Sequence, residues 1–68
     1  MRKLVSIQGM SCGHCAMKVK SALLAVKGVS FVEVDLLRAR AMVEGEDLYP
    51  PALRAAVAAA GYRPGGVL

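Results

Sequence analysis

Cys12 and Cys15 are the only thiols in the chain, and two residues separate them in Gly9-Met10-Ser11-Cys12-Gly13-His14-Cys15. Paired thiols at this spacing serve two chemistries, joint coordination of a soft metal ion and thiol–disulfide exchange. A short apolar run, Leu4 to Ile7, precedes them, and a stretch of helical periodicity follows. The pair is therefore expected on a strand-to-helix loop that presents both sulfurs outward. Helix N-termini carry partial positive charge and unpaired N–H groups, so Cys15, at the first turn, is expected to have a lowered pKa. Cys12, earlier on the loop, is expected to be the more exposed.

Soft sulfur ligands favour Cu(I), with Zn(II) and iron–sulfur chemistry as competitors. A closed structural zinc site takes four protein ligands and an iron–sulfur cluster typically takes four cysteines. This chain offers two cysteines and one histidine, His14. Cu(I) is content with two sulfurs. A surface site of two thiolates is also open to a third thiolate from outside, which lets a tightly held ion leave quickly. The ligand count thus favours a transferable soft-metal site.

The elements that position the loop can be read from periodicity. Residues 3 to 8 alternate, with Val5 and Ile7 on one face, and Gly9 ends this first strand. From Cys15 onward Ala16, Val19, Ala22, Leu23 and Val26 recur at helical spacing, while Lys18, Lys20 and Lys27 face water and Gly28 is the expected stop. Val29 to Leu36 alternates with Val32, Val34 and Leu36 inward. A turn around Leu37 to Ala39 leads into Arg40 to Glu44, with Ala41 and Val43 inward, which predicts a hairpin. A polar connection from Gly45 to Tyr49 precedes Pro50-Pro51, which can open a helix burying Leu53, Ala56, Val57 and Ala60 and closed by Gly61. The tail from Tyr62 to Leu68, with Pro64, Gly65 and Gly66, allows only a short irregular edge strand. The order predicts an α+β, ferredoxin-like βαββαβ fold, a four-stranded antiparallel sheet with both helices on one face.

At 68 residues the chain reads as a single domain, residues 1–68, and a domain of this size buries roughly 60% of its unfolded surface, too little for an enclosed substrate cavity. Met1-Arg2-Lys3 looks like the start of a signal peptide, but the apolar run after it is too short, and no segment reaches membrane-spanning length. A soluble, cytoplasmic protein is the expectation. In a reducing cytosol a Cys-x-x-Cys pair is more often metal-binding or redox-active than a structural staple. The net charge of +4 is spread along the chain, with Lys18, Lys20 and Lys27 near the cysteine loop. Such a face either meets an acidic partner or is a solvated helix surface.

The loop resembles the Gly-Met-x-Cys-x-x-Cys signature of the heavy-metal-associated domain family, the small copper chaperones and the N-terminal metal domains of copper-transporting ATPases. Lys27-Gly28-Val29, Val32-Glu33-Val34, Ala41-Met42-Val43 and Ala60-Gly61-Tyr62 fall in the family's order, so the likeness spans nearly the whole chain. The resemblance implies Cu(I) held by Cys12 and Cys15 in near-linear coordination. Transfer then runs through a three-coordinate intermediate to a partner such as a copper-transporting P-type ATPase or its metal-binding domain. It implies a binding protein rather than an enzyme, monomeric without metal. Met10 in this family packs under the loop and is not a ligand, which agrees with a thioether's ordinary role in a core. His14, as in similar bacterial chaperones, either tunes the thiols or joins the metal in a copper-bridged dimer, the plainer alternative being a solvated loop histidine. Tyr62 looks like the bacterial tyrosine near the metal loop, where eukaryotic relatives carry lysine, and its plainer role is core edge.

Other functions are weighed against this one. Cys12-Gly13-His14-Cys15 also spells the active-site tetrapeptide of protein disulfide isomerases, a thiol–disulfide oxidoreductase reading. The chain is too short for a thioredoxin-like domain, no Trp precedes Cys12, and the element order differs. RNA-recognition motifs share the predicted topology but stack bases on strand aromatics, and here only Phe31 is available, so no nucleic acid is expected. Glu44, Glu46 and Asp47 read as a solvated acidic turn. Carriers of other soft metals (Hg, Zn, Cd) remain alternatives. Mercury carriers of this type are usually exported, and zinc domains often place an acidic residue where Ser11 stands. A start at Met1 and an end soon after the last strand favour a free-standing carrier over an excised ATPase domain.

Overall fold

Alternating side chains make the first strand, β1 (Arg2–Gln8), because Val5 and Ile7 point inward and are fully buried while the residues between them stay in contact with water. The computed structural model describes all 68 residues. After β1 come α1 (Gly13–Leu24), β2 (Val29–Asp35), β3 (Arg40–Gly45), α2 (Pro50–Ala59) and β4 (Arg63–Val67). The strands form one antiparallel sheet in the order β2-β3-β1-β4. The two inner strands are β3 and β1, the first and third to be made, so each half of the chain contributes one inner and one edge strand. This is the expected ferredoxin-like βαββαβ arrangement.

The core lies between sheet and helices. Val5, Ile7, Val32, Ala41 and Val43 face Val19 and Leu23 of α1 and Leu53 and Val57 of α2, and all are buried. In both helices the two buried positions lie four residues apart, so a narrow stripe on each meets the sheet. Burial of each such side chain contributes about 1.5–3 kcal/mol. No buried side-chain oxygen or nitrogen lacks a partner.

Three local expectations need correction. The first helix ends at Leu24 with Ala25 as its cap, short of Gly28. The Val26 N–H donates to the Leu23 carbonyl (3.0 Å) and the Val29 N–H to the Val26 carbonyl (3.1 Å), so the chain turns back early and Gly28, with φ of +91°, serves that turn instead. Leu36 does not continue the buried face of β2. The strand stops at Asp35, whose carboxylate accepts the Arg38 N–H (3.2 Å) and starts the turn, leaving Leu36 39% exposed. Leu48, in the connection read as polar, is only 5% exposed and joins the core.

The end of α2 determines what stands beside the cysteine loop. Gly61 adopts φ of +98°; its N–H donates to the Ala58 carbonyl (3.0 Å) and the Tyr62 N–H donates to the Val57 carbonyl (3.3 Å). This pair of bonds is the Schellman stop, which needs a left-handed residue after the cap. Tyr62 is thereby set at the start of β4, which pairs Arg63 with Gln8 at the exit of β1. Gly61→Ala is expected to cost about 1 kcal/mol, the penalty of a left-handed non-glycine residue, and to lower the melting temperature by about 4–8 °C. Thermal unfolding followed by circular dichroism checks it.

Candidate metal centre

Helix α1 starts without help from its own side chains. Cys12 is the N-cap, with extended backbone (φ −157°, ψ 172°), and its side chain makes no capping bond. Its carbonyl accepts the Ala16 N–H at 3.2 Å, which closes the first helical turn. No acidic residue occupies that turn, so the positive end of the helix is left without a carboxylate. The anions available to this field are the cysteine sulfurs.

Both expected thiols are brought together here, and both are free. Cys12 is exposed and Cys15 half-buried, as anticipated. The Cys12 thiol donates to Cys15 Sγ across 3.6 Å, and Ser11 Oγ lies 3.9 Å from the same sulfur. The Cys12 thiol and the Ser11 hydroxyl thus both lie against Cys15 Sγ. Its thiol pKa is lowered to about 6, first by the Ser11 backbone N–H, then by the Tyr62 hydroxyl and the Cys12 thiol, with desolvation opposing. The lowering itself was expected from the helix end; the hydrogen bonds of the loop are its main source. Tyr62 shows the reciprocal effect, its pKa raised chiefly by donating to Cys15 and secondarily by desolvation and the nearby sulfur charges. A proton that bonds to a thiolate is harder to lose.

The aromatic ring of Tyr62 closes over the loop. Gly9 has φ of +100°, and a Cβ added to it would lie 3.5 Å from Tyr62 Cδ1, so ring and backbone are nearly in contact. Met10 is half-buried and packs against the hydrophobic core. His14 is exposed, on the first turn of α1 between the cysteines. No third histidine, cysteine or carboxylate joins the two sulfurs in a ready-made cluster. Ser11 is the contributor that sequence reasoning missed. The available signal was a small hydroxyl residue directly before a cysteine at a helix start, a position where such residues bond to neighbouring polar groups.

At neutral pH the donors around Cys15 keep most of it as thiolate, since pH 7 lies above its pKa of about 6. Its alkylation rate by iodoacetamide is therefore expected to rise with pH to half its plateau near pH 6 and to be nearly level above pH 7. Loss of one donor in Tyr62→Phe is expected to shift that midpoint to higher pH. Peptide mapping of alkylation at Cys15 across pH 5–9 reads both.

Fold and site together define a small α+β domain that presents a dithiol on its first strand-to-helix loop. The profile of the heavy-metal-associated domain matches residues 4–63, and the chain belongs to that family. It is 44% identical over 46 residues to the copper chaperone CopZ of Staphylococcus epidermidis, covering 68% of each chain. Among solved structures it is similar to a copper-binding domain from HMA7, a P-type ATPase, with a TM-score of 0.91 and 32% identity over all of this chain and 95% of that one. It is also similar to oxidised MerP from Ralstonia metallidurans CH34, with a TM-score of 0.88 and 34% identity over 96% of this chain and 93% of that one. No helix is long and apolar enough to cross a membrane.

Proposed function

We propose that this protein is a cytoplasmic Cu(I) carrier in which Cys12 and Cys15 hold one ion and release it by thiolate exchange. The observation that carries the reading is the pair of sulfurs 3.6 Å apart on the loop, Cys12 exposed and Cys15 half-buried, with no third histidine, cysteine or carboxylate beside them. Two soft donors suit Cu(I), whereas zinc would seek further ligands from outside. The relatives named copper chaperones and copper-binding ATPase domains support copper as the cargo.

The apo spacing fits capture followed by a small opening. A zinc–sulfur bond is about 2.3 Å, and on that scale a linear S–metal–S unit separates its sulfurs by more than the 3.6 Å of the metal-free loop. Cys15 is fixed in the helix, while Cys12 stands outside it on extended backbone and can move outward by the difference. Binding at neutral pH then displaces fewer than two protons, because Cys15 is already mostly ionised. Tyr62 and Ser11 orient Cys15, Met10 supports the loop from below, and His14 stands where it can approach the ion or the thiols of a second copy.

Release needs an incoming thiolate to bond to the ion before Cys12 or Cys15 lets go, so that copper is never free. A copper-transporting P-type ATPase, or its metal-binding domain, offers such thiolates and is the acceptor we assign. The protein acts as a single domain over residues 1–68 and performs no catalysis in this scheme. The test is transfer: the copper-loaded protein is mixed with such a domain without oxygen, and the two are separated and assayed for metal. Movement of copper to the acceptor faster than spontaneous loss to a chelator supports the reading; transfer limited by that loss overturns it.

A further inference from the structure

The β2–β3 turn emerges at the same end of the sheet as the cysteine loop. Arg40, which begins β3, pairs with Ser6 of β1, and the Ile7 N–H donates to the Ala39 carbonyl at 2.8 Å, two residues before Gly9. Turns facing only water favour glycine, proline, asparagine, aspartate and serine, whereas this one reads Leu36-Leu37-Arg38-Ala39-Arg40. Leu37 is 95% exposed. Its turn is braced rather than loose: Asp35 accepts the Arg38 N–H at 3.2 Å, its other oxygen lies 3.9 Å from the Arg38 guanidinium, and Ala39 is held at φ of +52°. An apolar side chain on a braced turn loses little freedom when it docks.

The charges at this end are mostly positive. Arg38, Arg40 and Arg63 stand there against Asp35, which already bonds to Arg38, and Glu33, which borders the same groove as Leu36 and Arg40. Glu44, Glu46 and Asp47 lie at the opposite end, where β3 runs out beside the start of β1. Arginines around an apolar centre match an acidic surface with a shallow apolar contact.

On the carrier reading above, we infer that the turn from Leu36 to Arg40 is a second contact of the docking surface, which takes an acidic acceptor protein and aligns its thiolates with Cys12 and Cys15. Leu37 supplies the apolar contact and the arginines steer the encounter. The turn touches neither thiol's ligand position, so it governs transfer without governing affinity for the ion.

The test uses Leu37→Ser and Arg38→Gln in the full chain, with an acidic metal-binding domain of a copper-transporting ATPase as the probe. Competition against a chelator is expected to give unchanged Cu(I) affinity for both variants. Transfer to the probe is expected to slow about tenfold for Leu37→Ser, and Arg38→Gln is expected to slow it mainly at low ionic strength. In the 15N-labelled protein, amides 36–40 are expected to shift with those of residues 9–15 when the probe is added. Unchanged transfer by both folded variants, or shifts confined to residues 9–15, overturns the docking role and leaves the carrier reading intact. Failure of the unaltered protein to hold Cu(I) overturns both.

Discussion

Cys12→Ser and Cys15→Ser are each expected to weaken Cu(I) binding by about a hundredfold to a thousandfold while leaving the fold in place. Dividing the roughly 10–16 kcal/mol of a four-ligand structural zinc site evenly gives about 2.5–4 kcal/mol per ligand, and each 1.4 kcal/mol is tenfold. Serine keeps the size of the side chain but offers a hard, un-ionised oxygen to a soft ion. The fold survives because neither sulfur belongs to the buried cluster that joins sheet to helices. Competition titration measures the first effect, and an unchanged far-ultraviolet circular dichroism spectrum and melting temperature measure the second. The two substitutions are not equivalent in a further respect. Cys15→Ser removes the sulfur that chiefly raises the Tyr62 pKa, so in that variant the Tyr62 pKa is expected to return toward the ordinary tyrosine value.

Leu53→Ala is expected to do the opposite, destabilising the fold without touching the thiols. Leu53 is fully buried, and deleting most of such a side chain costs about 2–5 kcal/mol. A chain of 68 residues has on the order of 3–10 kcal/mol in all, at 0.05–0.15 kcal/mol per residue. One substitution in α2 therefore removes about a fifth of the stability or more. A drop of the urea midpoint by at least about a fifth, with the slope unchanged, is the expected result. The variant also separates folding from binding: on the proposed carrier reading Cu(I) is expected to raise its midpoint more than Zn(II) does, by mass action on the folded state, reduced by whatever the unfolded cysteines also bind.

Much of this molecule is legible in its sequence because the strands use period-2 alternation and the helices bury stripes four residues apart. Val5, Ile7, Ala41, Val43, Leu53 and Val57 were assignable on pattern alone, and the thiol pair is conspicuous in a chain with no other cysteine. The misreadings lie where local hydrogen bonds override pattern. Leu36 carries the right phase to be buried, but the Asp35 carboxylate ends the strand before it. Gly28 looks like a helix stop, but the chain had already turned at Ala25. Leu48 is an isolated leucine among polar residues, with no neighbours at a telling spacing. In the site, the sequence points to Cys15 having a low pKa but cannot identify its donors, since Tyr62 reaches Cys15 only after the Schellman stop at Gly61 and the pairing of β4 with β1 bring residues 47 positions apart together.

An oxygen-free titration of the fully reduced protein with Cu(I) against a competing chelator, with Zn(II) run in parallel, tests the central claim most directly. One Cu(I) per chain, held far more tightly than Zn(II) and lost in both cysteine variants, is the result expected of a two-thiolate carrier. Failure to take Cu(I) from the chelator, together with thiols that cycle readily against glutathione, would contradict it and make thiol–disulfide exchange the chemistry of Cys12 and Cys15.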